Sequence, residues 1–103
     1  MKLEIKEKER AQKLLAEVAR TDIFRCYDDQ VLRSMQDLSN AFCAMTDETY
    51  AYHWRTGKKD IIKWVRDIIG DVELARNLEK ANSRSLAAWE VAIRMAYLAR
   101  QLP

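Results

Sequence analysis

Glycine and proline are nearly absent from this sequence. Its 103 residues include two glycines and one proline, and the proline is the last residue. β-Sandwiches and barrels need a turn about every 8–12 residues, and such turns depend on these two residue types. With 49% hydrophobic and 33% charged residues, the chain has the composition of a folded globule. The sequence therefore predicts an all-α fold: a compact bundle of five to six helices in a single helical domain, residues 1–103.

Histidine and cysteine are also scarce, which leaves few residues for catalysis or metal binding. His53 is the only histidine, and Cys26 and Cys43 are the only cysteines. His53 could work as an acid or base with Asp60 or Asp47 beside it, or it could have a structural role by bonding a backbone carbonyl. The histidine and the two cysteines could supply metal ligands, but no CxxC or HxxxH spacing organises them. We expect no catalytic residue, no metal and no cofactor, and a protein that is not an enzyme.

Long apolar runs are missing as well. The first ten residues are mostly charged, and no apolar region typical of a signal peptide follows them. No run approaches the ~18 apolar residues of a membrane span. We expect a cytoplasmic protein without membrane contact, in which Cys26 and Cys43 are reduced and both buried as small hydrophobic residues.

The charges are balanced overall but separated along the chain. The net charge of +2 is too small to imply nucleic acid or a membrane as partner. Residues 21–50 carry two basic against six acidic side chains, a net charge of −4, and residues 51–66 carry five basic against one acidic, a net charge of +4. Basic residues interleaved with aromatic ones are typical of single-strand binding, although a solvated loop and helix face has the same pattern. The candidate polyanion site comprises Arg55, Lys58, Lys59, Lys63 and Arg66.

Hydrophobic periodicity and capping residues predict the helix boundaries. An N-terminal helix is expected over 2–20, with a charged first half that can project from a core formed by 21–103 and place Leu3 on a second subunit. Five more helices are then expected. One begins near residue 35, one spans 47–54, one follows Asp60, one follows Asp71, and the last spans 86–101. The expected caps are Ser34, Thr46, Asp60, Asp71 and either Ser83 or Ser85, with Gly57 and Gly70 ending the two helices that precede an aspartate cap.

A short extended segment is expected near 23–27. This run is β-branched and aromatic, and Asp28 and Asp29 after it are turn formers. Because a lone strand has no partner in its own chain, the segment is either irregular or an edge that pairs across a dimer.

The helix after Asp60 and the last helix carry the most apolar residues. In the helix after Asp60, the expected buried face consists of Ile61, Trp64, Val65 and Ile68, widened by Ile62 and Ile69. In the last helix, one face is lined by Leu86, Trp89, Ile93 and Ala96 or Tyr97, and much of the remainder is covered by Ala88, Val91, Met95, Leu98 and Leu102. A helix that is apolar on nearly every side is central to a bundle or shared with another chain.

Asp67 and Asp71 are a possible carboxylate pair, four residues apart. Gly70 lies between them and ends the helix, so they need not share a face. Capping accounts for Asp71, and a salt bridge to Lys63 accounts for Asp67.

The run TDETYAYHWRTGKKDIIKWVRDIIGDVELA resembles a family of short helical domains of unknown function from archaea and bacteria. The resemblance covers about residues 23–80 and rests on Phe24, Asp28, Leu38, Met45, Tyr50, His53, Asp60, Trp64, Val65, Gly70, Asp71, Leu74 and Ala75. The chain departs from the family pattern at Lys59 and Ile61, where the family tends to have asparagine and phenylalanine. The resemblance implies a helical fold and brings no activity, catalytic residue or cofactor.

The sequence favours a non-catalytic interaction or regulatory module that self-associates through its N-terminal and last helices. A homo-oligomer is expected, with a dimer favoured, and the sequence identifies no other protein partner. The alternative is a nucleic-acid-binding module that uses the basic segment 54–66.

Overall fold

The structure, a computed structural model, describes residues 2–26, 30–52 and 58–102, and of residues 2–4 and 58–59 only the backbone. The α-helices in this part of the chain are α1 (Lys2–Leu15), α2 (Met35–Ala44), α3 (Asp47–Tyr52), α4 (Lys58–Lys63), α5 (Val72–Lys80) and α6 (Arg84–Ala99). Two short strands, β1 (Phe24–Arg25) and β2 (Val31–Leu32), follow a 3-10 turn at Arg20–Asp22, and a π-helix at Trp64–Ile69 continues α4. The predicted all-α bundle of five to six helices is confirmed.

Helix α1 ends at Leu15, five residues before its predicted end. Its Ala11 and Leu14 are buried in the core. The chain then leaves the helix because the Val18 N–H donates to the carbonyl of Arg33 at 2.7 Å, a bond with a distant segment instead of the preceding turn.

The extended segment at 23–27 does have a partner in its own chain, so both predicted alternatives are wrong. Strand β1 pairs antiparallel with β2, with Phe24 opposite Leu32 and Arg25 opposite Val31. The Cys26 N–H continues the ribbon by donating to the carbonyl of Gln30 at 2.7 Å. The sequence did not predict β2, because the two apolar residues of this strand, Val31 and Leu32, continue the helical spacing of α2.

Three of the predicted caps are confirmed at the starts of α2, α3 and α6. The side-chain oxygens of Ser34, Thr46 and Ser83 each accept the N–H three residues later, at distances of 3.0–3.2 Å. Ser83 rather than Ser85 is therefore the cap of α6, which begins two residues before its predicted start.

Asp60 is not a helix cap, which corrects the prediction. Asp60 lies within helix α4 (Lys58–Lys63), after two helical residues, where a carboxylate still favours the positive end of the helix dipole. Gly57 and the predicted last two residues of the 47–54 helix lie outside the described residues.

The π-helix explains a second wrong prediction in this segment. Ile61, Ile62 and Trp64 are buried as expected, but Ile68 is 41% exposed. A π-helix bonds each N–H to the carbonyl five residues earlier, so its side chains turn through a smaller angle per residue. Ile68 therefore leaves the face, while Ile69, which was expected to widen it, is buried.

Gly70 ends the π-helix, as predicted. Its φ of 91° lies in the left-handed region, where glycine avoids the Cβ strain of other residues. The N–H groups of Gly70 and Asp71 both donate to the carbonyl of Val65, at 2.9 and 3.0 Å.

The core lies between α2 and α6, which form the most extensive helix pair. Phe42 of α2 contacts Tyr50 of α3 edge-on, with ring centres 5.9 Å apart. The Tyr50 hydroxyl donates to the carbonyl of Ala81 at 3.3 Å, and burial raises the pKa of this phenol to about 12. These contacts hold α3 and the end of α5 on the same core.

Candidate interaction surface

Four large apolar side chains form an exposed stripe along α6. Leu86, Trp89, Ile93 and Tyr97 are 45%, 62%, 46% and 52% exposed. Their spacing of three, four and four residues places them on one face of the helix, over a length of about 17 Å. We refer to these four residues as the α6 stripe.

The stripe corresponds to one of the apolar faces expected for the last helix, and it lies on the surface. The face that enters the core carries Ala87, Val91 and Leu98, with Ala88 and Met95 half-buried beside them. Through these side chains α6 takes part in the core, where α2 is its main neighbour.

A charged residue also lies on the buried face of α6 and joins this helix to α5. Nε of Arg94 donates to Oδ2 of the fully buried Asp71 at 2.7 Å. The other carboxylate oxygen of Asp71 accepts the Leu74 N–H at 3.1 Å, which confirms Asp71 as the cap of α5. Arg94 also donates to Glu73 at 3.2 Å, and its guanidinium lies 5.4 Å from the ring centre of Tyr97. Through Arg94, the ion pair thus contacts Tyr97, one residue of the stripe.

The sequence predicted Asp71 as a cap and as one half of a possible carboxylate pair with Asp67, and it did not single out Arg94. Arg94 follows Val91 by three residues and precedes Leu98 by four, so it lies on their face of the helix. A single arginine on an otherwise apolar helix face needs a buried acidic partner, and this was the available signal.

An open cleft of about 280 Å³ runs between α5 and the stripe, lined by Glu73, Asn77, Glu90, Ile93, Arg94 and Tyr97. A smaller cleft of about 110 Å³ lies toward α1 and shares Glu73, Arg94 and Tyr97 with the first. Because Asp71 offsets the charge of Arg94, the two glutamates make the larger cleft acidic. The stripe is therefore bordered along this side by a groove with negative charge.

The basic segment offers less free charge than the sequence predicted. Both carboxylate oxygens of Asp67 accept hydrogen bonds from Arg66, at 3.0 and 3.2 Å. This pairing lowers the pKa of the Asp67 carboxyl and raises the pKa of the Arg66 guanidinium. The predicted Lys63 partner contributes to the lowered pKa through its charge, while Arg66 makes the salt bridge.

Trp64 of the basic segment is not exposed for base stacking. Its side chain is buried, and its indole N–H donates to the carbonyl of Asp22 at 2.7 Å. Phe24 packs against the same indole, with ring centres 6.0 Å apart. Trp64 therefore joins the β-ribbon to the π-helix.

The other predicted site residues are not brought together in the described part of the chain. His53 and Arg55 lie outside the described residues, and Lys58 and Lys59 begin α4 without described side chains. Asp60 and Lys63 are exposed on the same helix.

The two cysteines differ in exposure. Cys26 is buried as predicted, but Cys43 is exposed, which corrects the expectation for that residue. Cys43 follows Phe42, which faces the core, and one residue step turns a helix by about 100°.

Within residues 2–26, 30–52 and 58–102, no three histidine, cysteine or acidic residues are grouped to hold a metal ion. None of the helices there has the length and apolar character to cross a membrane.

Comparison of the chain with protein-family models, curated proteins and solved structures returns no match. The family resemblance of residues 23–80 thus stays a prediction.

Proposed function

We propose that this protein is a non-catalytic interaction module that self-associates through the α6 stripe. The observation that carries the proposal is the exposure of Trp89, which at 62% is the most exposed large hydrophobic residue described. Three further large apolar side chains continue its face along the helix. Isolated exposed apolar residues are ordinary, whereas a continuous patch typically marks an interaction site.

A second copy of this chain is the partner that best fits the surface. From the usual side-chain areas and the exposed fractions, the stripe presents roughly 400 Å² of apolar surface per protomer. Two such faces together bury roughly 800 Å², less than the about 1,200–2,000 Å² of standard specific complexes, so we expect a weak dimer whose interface extends beyond the stripe. A two-fold interface uses one patch twice, so a single exposed stripe is sufficient.

The N-terminal helix offers a second apolar contact in the proposed assembly. Ile5 of α1 is 57% exposed. Helix α1 packs against α6 and lines the smaller cleft beside the stripe. We therefore include α1 at the edge of the interface, with α6 at its centre.

Sedimentation equilibrium of Trp89→Ala tests the proposal, with Ile68→Ala as the matched control. Ile68 is a similarly exposed hydrophobic residue on the π-helix, outside α6. Buried interface tryptophans typically contribute about 2 kcal/mol or more, and a dimer contains two, so we expect a dimer Kd roughly 10²- to 10³-fold higher for Trp89→Ala. The control is expected to stay within about two-fold of the wild type. Circular dichroism checks that both variants are folded.

Two outcomes contradict the proposal. One is a wild-type protein that stays monomeric at high micromolar concentration. The other is a Trp89→Ala protein that dimerises as tightly as the wild type. Ile5→Ser in the same assay measures the contribution of α1, which we expect to be smaller than that of Trp89.

The alternative function is nucleic-acid binding through residues 54–66. Its support is the net charge of +4 over residues 51–66. Burial of Trp64 and pairing of Arg66 with Asp67 favour the first proposal. Binding to single- and double-stranded oligonucleotides at low and moderate salt tests the alternative. It fails if no complex forms at low salt, or if the double substitution Lys58→Glu with Lys59→Glu leaves binding unchanged.

A further inference from the structure

We infer that two copies of α6 pair antiparallel in the dimer, with Ile93 at the two-fold axis. This inference rests on the proposed self-association and adds its orientation and register. It assigns a contact to each polar residue on the rim of the stripe: Arg100 packs on the partner's Trp89, and Glu90 accepts a hydrogen bond from the partner's Tyr97.

The positions of the rim residues follow from helix geometry. At about 100° per residue, the whole stripe lies within about 40° of Ile93 around the helix axis. Glu90 borders the stripe on the side of Tyr97, Ala96 borders it on the side of Trp89, and Arg100 continues the face beyond Tyr97 at the C-terminal end of the stripe; we refer to these three residues as the rim. Arg100 keeps helical angles, with φ −64° and ψ −20°, so it continues this face.

The rim charges are available for a partner. In the described part of the chain, neither Glu90 nor Arg100 makes a salt bridge. Glu90 is acidic and lies near the middle of α6, whereas Arg100 is basic and lies at the C-terminal end of the helix. Such a face is complementary to a second copy of itself only in an orientation that keeps the two arginines apart.

An antiparallel pair centred on Ile93 meets this condition. The indole of Trp89 then lies against Ala96 and Arg100 of the partner subunit. The small alanine leaves room for the indole, and the guanidinium can stack on its face. On the other side of the axis, the hydroxyl of the partner's Tyr97 is within reach of Glu90.

A parallel pair would lose these contacts. Arg100 lies about 20° from the centre of the face, so it would be opposite Arg100 of the partner subunit. Two like charges would then meet, and the helix dipoles would point in the same direction. Trp89 would be next to the partner's Glu90, an anion, which an aromatic face does not attract.

Disulfide cross-linking distinguishes the two orientations, in a Cys43→Ser background that removes the exposed native thiol. In the antiparallel pair, the two copies of residue 86 are about 21 Å apart along the axis, as are the two copies of residue 100. A disulfide needs Cα atoms within about 7 Å. We expect Ile93→Cys to cross-link with itself, and Leu86→Cys to cross-link with Arg100→Cys in a mixture but neither of these two alone.

A charge substitution gives a second readout that does not depend on cysteine chemistry. Arg100→Gln removes two cation–π contacts per antiparallel dimer, so we expect the dimer Kd to rise roughly 5- to 30-fold. In a parallel dimer the same substitution removes a repulsion, so the Kd would fall. Arg20→Gln, which removes one exposed positive charge from the 3-10 turn, is the control for net charge.

The outcomes separate this inference from the proposed function. Self-cross-linking of Leu86→Cys and Arg100→Cys, or tighter dimerisation of Arg100→Gln, overturns the antiparallel orientation while self-association stands. A protein that sediments as a dimer but cross-links at none of these positions also overturns the inference, because its interface is elsewhere. A wild-type protein that is monomeric at high micromolar concentration overturns the proposed function itself.

Discussion

Replacing Arg94 with methionine removes the guanidinium that pairs with the fully buried carboxylate of Asp71. Their contact is 2.7 Å long, and the Arg94 side chain is 9% exposed, so solvent screens the pair poorly. Removing one member of a buried pair leaves an uncompensated charge, which typically costs about 3–5 kcal/mol. Domains of this size have a free energy of unfolding of about 5–15 kcal/mol. We therefore expect Arg94→Met to remove a large part of the stability and to lower Tm by roughly 15–30 °C.

Urea denaturation followed by tryptophan fluorescence and circular dichroism measures this loss. The double variant Asp71→Asn with Arg94→Met serves as the matched comparison, because asparagine still caps α5 but carries no charge. We expect the double variant to be more stable than Arg94→Met alone. Glu73→Gln is the surface control: Glu73 is 64% exposed, so its loss should cost less than about 1 kcal/mol.

Two results would contradict a buried, uncompensated carboxylate at Asp71 in Arg94→Met. One is an Arg94→Met protein whose free energy of unfolding lies within about 1 kcal/mol of the wild type. The other is a double variant that is less stable than Arg94→Met, since removal of the buried charge should offset part of the loss.

Capping, burial and exposure each give a further expected result. Ser83→Ala should lower the free energy of unfolding by about 1 kcal/mol and Ser85→Ala by less than about 0.5, and equal losses in urea denaturation would contradict the assignment of the cap. The folded protein holds the Tyr50 proton to a pKa of about 12, against 10.0 ordinarily. Stability should therefore be unaffected by this group below about pH 10 and fall by up to about 3 kcal/mol toward pH 12; denaturation at alkaline pH should show this fall in the wild type and not in Tyr50→Phe. A thiol reagent should modify Cys43 in the folded protein and Cys26 only after denaturation, so rapid native modification of both would contradict the burial of Cys26.

The helix caps were predictable because capping is local. Ser34, Thr46, Asp71 and Ser83 each accept an N–H three residues later in the chain, so the sequence around each position contains both partners. The same holds for the left-handed Gly70. For these features, a short window of sequence includes nearly all the interactions that decide the structure.

The features that the sequence did not predict depend on distant partners. Val31 follows the spacing of α2 in the sequence, but its pairing with Arg25 makes it part of a strand. Ile68 follows α-helical spacing, but in the π-helix it is exposed while Ile69 is buried as expected. In the first case, pairing with another strand overrode the local helical pattern. In the second case, the π-helix changed which side chains face the core.

Helix α6 shows why hydrophobicity alone could not identify its buried face. The stripe carries a tryptophan, a tyrosine, a leucine and an isoleucine, whereas the opposite face carries Arg94 among its apolar residues, so the stripe is the more hydrophobic side. The face with Arg94 is nevertheless the buried one, because Asp71 pairs with the guanidinium. A monomer gains nothing from the exposed Trp89, where a polar residue would keep it soluble. Self-association through the stripe, as proposed above, accounts for these large apolar side chains, because a second copy of the chain would bury them.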